Sequence, residues 1–260
     1  MSARALTLDG VRKSFPVRGG GELVALADVT LEIPAGEFLV VVGPSGCGKS
    51  TLLDLVGGLT RPDSGRILLD GAEVTGPGLD RGIVFQQYAL LPWRTALRNV
   101  EFGLESGRER LSRRARTAKA LEYLELVGLG GFADRYPHEL SGGMKQRVAI
   151  ARSLAFDPDV LLMDEPFAAL DAQTRESLQE ELRRIWLRTG KTIVFITHGI
   201  DEAVVLGQRV AVLTGRPGRV KEIVEIDLDR DTDDVRSTPE FAAQRHRVWS
   251  LLQAELEVIA

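Results

Sequence analysis

Residues 38–51 read "FLVVVGPSGCGKST". The first five are continuously apolar and mostly β-branched, the pattern of a strand buried on both faces of a sheet. "GPSGCGKST" (43–51) then fits Gly-x-x-x-x-Gly-Lys-Ser/Thr, a loop whose glycines let the backbone wrap a phosphate chain. Its N–H groups point inward and a following helix adds its positive end. In that loop Lys49 reaches the β- and γ-phosphates, and Ser50 offers its hydroxyl to Mg²⁺. Cys47, inside the loop, is either a reactive thiol or a small space-filling residue, and the second reading is the plainer one.

Four similar apolar runs lie further along the chain: "IVF" (83–85), "VLLM" (160–163), "IVFI" (193–196) and "VAVL" (210–213). Together with "FLVVV" they predict a mostly parallel sheet covered by helices. The first four runs in chain order each end at polar or small residues: Gly43, Gln86, Asp164 with Glu165, and Thr197 with His198. Polar groups therefore gather at the carboxyl ends of the strands, the edge where open α/β sheets bind ligands. Asp164 is placed to hold a Mg²⁺ shell, through water or through Ser50. Glu165 can polarise an attacking water. Gln86 carries a neutral amide suited to Mg²⁺ and water, although Gln87 beside it is an equal candidate. His198 is either structural or a donor to a γ-phosphate.

Ahead of these runs, "LTLDGV", "LVALADVTLEI" and "RILLDG" alternate with a period near two and predict half-exposed antiparallel strands, with "PVRGGGEL" (16–23) as a loop. The span 88–155 predicts a mainly helical insertion, carried by "LSRRARTAKALEYLELVGL" (111–129). Residues 172–189 predict another amphipathic helix. The tail from 226 begins acidic and ends in a helix with Phe241, Val248, Leu252 and Leu256 at apolar spacing, read as packing on the core. The basic cluster Arg108–Arg116 reads as a solvated helix face.

The bulk numbers narrow the setting. The chain has 260 residues, 44% hydrophobic and 27% charged, an ordinary soluble globular composition. A formal net charge of −4 gives no sign of a polyanion partner, so no nucleic acid is expected. One cysteine allows no internal disulfide and fits a reducing, cytoplasmic setting. "MSARALTLDG" lacks the apolar stretch of a secretory signal, and no apolar run approaches a membrane span, so work at a membrane would go through a partner.

One motif is left over. "LSGGMKQR" (140–147) looks like a second phosphate-approaching turn at the start of a basic helix. Taken in order, "GPSGCGKST", "FQQ", "LSGGMKQR", "VLLMDEP", "ALD" and "ITH" resemble the nucleotide-binding subunits of ABC transporters, from residue 6 to about 225. "PGLDRGIVFQQYALLPWRTALRNVEFGL" (77–104), the Met of "LSGGM" and "TGRPGRV" (214–220) are similar to the nitrate, sulfonate and taurine importer branch.

The resemblance implies an α/β P-loop NTPase of the ABC ATPase fold, a single domain over 1–260. Residues 1–87 and 156–225 would form the catalytic core with an antiparallel β part, 88–155 a helical subdomain and 226–260 a C-terminal tail. It implies ATP and Mg²⁺ as cofactors. Phe15 would stack on adenine, although Tyr is commoner there. Gly43, Pro44, Ser45, Gly46, Cys47, Gly48, Lys49, Ser50 and Thr51 would form the Walker A loop. Gln86 would contact Mg²⁺ and relay to the membrane subunit, Asp164 would hold the metal, Glu165 would be the general base, and Asp171 the D-loop aspartate. His198 would be the switch histidine; Gly199 after it, where the family usually has Asp, would loosen the turn. Ser141, Gly142 and Gly143 would close over the γ-phosphate held by a second copy, packed head to tail. The partners implied are that second copy, an integral membrane permease and, indirectly, a solute-binding protein. The implied place is peripheral, at the cytoplasmic face of the inner membrane. Non-transport relatives acting on nucleic acid or ribosomes usually carry a coiled-coil insertion or fused halves, and this chain has neither.

Overall fold

Alternation builds the first sheet. Strand β1 (Leu6–Pro16) pairs antiparallel with β2 (Glu22–Ile33), from Leu6↔Ile33 to Pro16↔Glu22. From Ala27 to Ile33 every second residue is buried, as a half-covered sheet requires. Strands β4 (Ser64–Leu69) and β5 (Ala72–Glu73) complete the order β2-β1-β4-β5. The structure, a computed structural model, describes residues 3–107, 109–230, 232 and 234–259. The chain divides into two units, one of Gly78–Lys191 and one of Ala3–Pro77 with Thr192–Ala260.

In the second of these units, β3 (Phe38–Val42) is buried along its whole length. It runs parallel to β8 (Thr192–Ile196) on one side and β9 (Arg209–Leu213) on the other. Being covered on both faces explains why these strands are unbroken apolar runs. Strand β10 (Val220–Glu225) turns back antiparallel to β9. Helix α1 (Lys49–Val56) comes directly after β3 and lies against β2, α6 (Ile200–Leu206) lies against β3, and α7 (Pro239–Ile259) lies against α6 and β9. Phe241 and Val248 are buried as their spacing predicts, whereas Leu256 is half exposed.

In the unit Gly78–Lys191, β6 (Arg81–Val84) and β7 (Val160–Asp164) run parallel, Arg81 opposite Val160 and Val84 opposite Met163. The expected helical stretch holds α2 (Ala96–Glu105), α3 (Arg113–Leu126) and α4 (Gly142–Ala155). Helix α5 (Ala172–Thr189) has the predicted bounds and stops at the left-handed Gly190. A buried carboxylate joins two helices: Glu101 of α2 accepts from Arg98 and from Thr117 of α3, each at 2.6 Å.

Two expectations need correcting. Strand β6 starts at Arg81, ahead of "IVF", and Phe85 lies outside it and exposed. Arg81 is buried by pairing with Asp80 at 3.0 Å, so a charged residue disguised the strand's start. The basic cluster is not one helix face: Ser112 caps α3, so only Arg113, Arg114 and Arg116 are helical, and Arg108 lies outside the described residues. Asp231, Asp233 and Ala260 of the tail also lie outside them. Among the described residues no helix is long and apolar enough to cross a membrane.

The end of β1 is held by one carboxylate. Asp63 accepts from Lys13 Nζ at 2.9 Å and from the Ser14 N–H and hydroxyl at 2.6 and 2.7 Å. The Lys13 and Ser14 hydrogen bonds hold its carboxyl at about 2, below the ordinary 3.8. A carboxyl whose folded value is depressed stabilises the fold above its unfolded value and loses that contribution as pH falls through the folded one. The stability difference between the native chain and Asp63→Asn is therefore constant down to about pH 4 and shrinks toward zero near pH 2. Chemical denaturation at stepped pH checks this; the exposed site keeps the effect small.

Candidate functional site

The loop between β3 and α1 is shaped by residues that lack a Cβ. Gly46 and Gly48 are left-handed, at φ +75° and +103°. A Cβ on Gly48 would stand 2.7 Å from Leu26 Cδ2 and 2.9 Å from the Ala25 carbonyl oxygen. At Gly43 it would meet Cys47 Sγ at 2.8 Å. The chain can curl this tightly only with glycine at these places. Lys49 Nζ, nearly buried, donates to the Gly43 and Pro44 carbonyls at 2.8 and 3.0 Å, across the mouth of the curl. Pro44 is buried, Ser45 exposed, and Lys49, Ser50 and Thr51 form the first turn of α1, where N–H groups have no helical partner. Cys47 is fully buried, and burial pushes its thiol up against the lowering pull of Lys49, so it is the filler rather than a reactive group.

Two more expected residues lie in the same unit. His198 is exposed between β8 and α6. The turn after it is pinned: Thr197 Oγ1 donates to Glu202 at 2.5 Å and accepts from the Gly199 N–H at 2.9 Å. Gly199 sits at φ −84°, outside the left-handed region, and a Cβ there would stand 3.2 Å from Glu202 Cδ, so the turn packs closely on that carboxylate. Phe15 on β1 exposes its ring, with Lys13 Nζ 5.6 Å from the centroid.

The other unit carries the remaining candidates. Asp164 ends β7, and Glu165 comes next at φ +43°, a strained conformation for a residue with a side chain. Gln86 and Gln87 are both exposed, leaving β6 for a loop in which Tyr88 and Ala89 are also left-handed. Asp171 caps α5, accepting from the Thr174 N–H at 3.0 Å, and that bond holds its carboxyl below the usual range. Ser141, exposed, caps α4: its oxygen accepts from the Met144 N–H at 3.3 Å, which leaves its O–H free of that bond. Gly142 and Gly143 form the first turn, and a Cβ on Gly143 would stand 2.5 Å from Thr174 Cγ2. Gly143 is thus demanded by packing inside its own chain as well as by any phosphate.

Other residues here were not read from sequence. Arg152, on the far end of the Ser141 helix, donates to the Tyr88 and Ala89 carbonyls at 3.1 and 2.5 Å, and burial lowers its guanidinium's value. Asn99, fully buried, holds the Leu91, Arg94 and Thr95 carbonyls at 3.0–3.2 Å and accepts from the Leu91 N–H. Both brace the loop after Gln86. The available signal was "RN" and "AR" inside helical runs, and nothing marks those as braces without the fold.

Ser50, Gln86 and Asp164 offer hard oxygen donors, and no three His, Cys, Asp or Glu among the described residues form a metal-holding cluster. Such a donor set does not suit a protein-only cage. Carboxylate, amide and hydroxyl oxygens are the donor types that Mg²⁺ takes, together with the phosphate oxygens of a nucleotide.

Known proteins share much of this sequence and its fold. The ABC transporter family profile matches residues 26–168. An uncharacterized ABC transporter ATP-binding protein of Methanocaldococcus jannaschii is 54% identical over 251 residues, covering 96% of this chain and 92% of its own. The nitrate import ATP-binding protein of a Synechocystis strain is 51% identical, covering 92% and 94%. The taurine import ATP-binding protein of Rhizobium johnstonii is 49% identical, covering 96% and 97%. Among solved structures, a dimeric ATP-binding cassette in a post-hydrolysis state bound to ADP and Pi superposes at a TM-score of 0.76, with 37% identity over 85% of this chain and 99% of that one.

Gly48→Ala combines a left-handed backbone with two sub-van der Waals contacts. It lowers stability by about 2 kcal/mol or more, whereas Gly131→Ala, with nothing near its Cβ, stays within about 0.5 kcal/mol. Denaturant titration of the two variants compares them.

Proposed function

This chain belongs to the ABC transporter family, and we propose that it powers an importer whose cargo is a small oxyanion or sulfonate such as nitrate or taurine. It binds and hydrolyses ATP as an ABC ATPase. The observation that carries the mechanism is that one chain holds two anion-ready backbones: the curl at 43–51 and the capped helix start at Ser141. Two copies facing head to tail would bring each curl under the other's Ser141, completing two sites by symmetry. The dimeric cassette bound to ADP and Pi supports this arrangement.

The division of labour comes from the residue chemistry. Phe15 offers its ring to adenine. The N–H groups of residues 43–51 and the α1 start cradle the phosphates, and Lys49 exchanges the Gly43 and Pro44 carbonyls for phosphate oxygens. Ser50, Asp164 and Gln86 would hold Mg²⁺, which supplies charge neutralisation on the phosphates when bound. Glu165 accepts hydrogen bonds from the attacking water and aligns it. His198 donates to the γ-phosphoryl oxygens, Ser141 and the Gly142 and Gly143 N–H groups of the second copy close the site, and Asp171 sits at the seam. Most of the catalysis is positioning and charge neutralisation, because the transferred phosphoryl group needs little covalent help.

Residues 1–87 and 156–225 act as the catalytic core, 88–155 as the helical part that receives an integral membrane permease, and 226–260 as a tail. The segment from Phe85 to Trp93, with Gln86 within it, suits the permease contact: it presents both of those aromatic rings, Trp93 71% exposed. The protein would then sit peripherally at the cytoplasmic face of the inner membrane, with a solute-binding protein delivering cargo from the other side.

Glu165→Gln keeps ATP binding, lowers turnover by about a hundredfold or more, and accumulates an ATP-bound dimer. Phosphate release and size-exclusion chromatography read these. In cells carrying this variant as the sole copy, uptake of labelled nitrate or taurine is lost; undiminished uptake of both would overturn the cargo assignment. Ser141→Arg and Lys49→Ala chains, each inactive alone, regain part of the activity when mixed, because one of the two composite sites is then intact. Absence of any rescue would overturn the head-to-tail site.

A further inference from the structure

The turn between β9 and β10 reads "TGRPGR", residues 214–219. It is stiffened from within. The Thr214 N–H donates to the Arg219 carbonyl and the Arg219 N–H to Thr214 Oγ1, both at 3.0 Å, and that hydroxyl also donates to the Pro217 carbonyl at 3.1 Å. The turn lies directly on the phosphate loop. The Gly218 N–H donates to the Ala25 carbonyl at 2.9 Å, and a Cβ on Gly218 would stand 2.1 Å from the Cys47 carbonyl oxygen.

From this platform Arg216 reaches the loop itself. Its Nε and Nη2 both donate to the Gly46 carbonyl, at 3.0 and 2.9 Å. The space is reserved for it, since a Cβ on Gly46 would lie 3.0 Å from Nη2. Two charged donors on one acceptor fix the direction of that carbonyl. A trans peptide is planar, with its N–H opposite its C=O. Holding the Gly46 oxygen toward Arg216 therefore aims the Cys47 N–H the other way, into the curl, where it now meets the Pro44 carbonyl at 3.3 Å. The guanidinium sets a phosphate-binding donor without touching phosphate.

Behind Arg216 stands the C-terminal helix. Glu255 of α7 accepts from the Gly215 N–H at 3.0 Å and pairs with Lys221 Nζ at 2.7 Å, while Lys221 also donates to the Leu251 carbonyl at 3.1 Å. The Lys221 hydrogen bond, with help from the Gly215 N–H, holds the Glu255 carboxyl below its usual range, so it stays charged.

We infer that Arg216 is a positioning residue of the phosphate loop, aiming the Cys47 N–H, and that helix α7 sets Arg216 through Glu255 at Gly215. The inference rests on residues 43–51 being the ATP phosphate site. The tail thereby acquires a role in nucleotide affinity.

Titration of the full chain with a fluorescent ATP analogue and Mg²⁺, alongside steady-state kinetics, tests it. Arg216→Ala weakens nucleotide binding and raises KM about tenfold, with kcat at saturating ATP within about twofold, because the N–H serves ground and transition states alike. Arg216→Lys, which keeps the charge but loses the fork, recovers part of the affinity. Glu255→Ala weakens binding about threefold alone and adds nothing in the Arg216→Ala background, as a relay through one residue requires. Arg216→Ala binding within twofold of native, while Lys49→Ala loses binding, overturns the inference and leaves the site in place. Native binding by Lys49→Ala overturns the site itself. Additive losses from Glu255→Ala and Arg216→Ala overturn the relay. If Arg216→Ala does not fold, Arg216→Lys and Glu255→Ala, singly and combined, carry the same comparison.

Discussion

A backbone that aims several N–H groups at one point must curl more tightly than side chains permit. That constraint governs the loop at 43–51. It places left-handed glycines at 46 and 48, leaves no room for a Cβ at 43 or 48, and brings Lys49 across its own carbonyls. A curl so tight has no interior of its own and borrows rigidity from its neighbours. Strand β3 supplies it on one side, because all five of its residues are buried between β8 and β9. Leu26 and Ala25 of β2 press on Gly48, and the turn at 214–219 presses on Gly46 and Cys47. A charge-assisted contact at the Gly46 carbonyl suits this place, since it fixes direction without filling the space a ligand needs.

The unit Gly78–Lys191 solves a different problem, holding exposed polar side chains on short segments with few apolar anchors. It does so with strain and buried polar braces. Glu165, Tyr88 and Ala89 are left-handed without being glycine, which costs of order 1 kcal/mol or more each. Such conformations persist only where surroundings over-determine them. At Tyr88 and Ala89 the surroundings are Arg152, and along the loop beyond them they are Asn99. Arg152 and Ser141 lie on the same helix, so the cap that faces outward and the brace on the Gln86 loop move as one body.

Much of this was legible in the chain as written, for reasons that can be traced residue by residue. "FLVVV", "VLLM", "IVFI" and "VAVL" became β3, β7, β8 and β9 because burial on both faces leaves no alternation to interpret. "IVF" misplaced β6, because Arg81 is buried by Asp80 rather than by apolarity. The turn "TGRPGR" could be noticed but not used. Its guanidinium acts on a carbonyl 170 positions away, and a carbonyl leaves no trace in the identity of its residue. Gly143 shows the opposite confusion: read from sequence it suggests phosphate approach, while in the fold a Cβ there would collide with Thr174, a packing demand the sequence does not display.

By itself the sequence determined what depends on neighbours along the chain: strand periodicity, the amphipathic helix at 172–189, the glycine spacing of the 43–51 loop, and the order of motifs that marks the family. Those arise from backbone sterics and local hydrogen bonding, which act over a few residues. Only the tertiary structure decided which residues brace the site. Arg216 on Gly46, Glu255 on Gly215, Arg152 on Tyr88 and Ala89 are all bonds from a side chain to a distant peptide group. Every residue but proline offers the same peptide group, so the choice among them belongs to the fold.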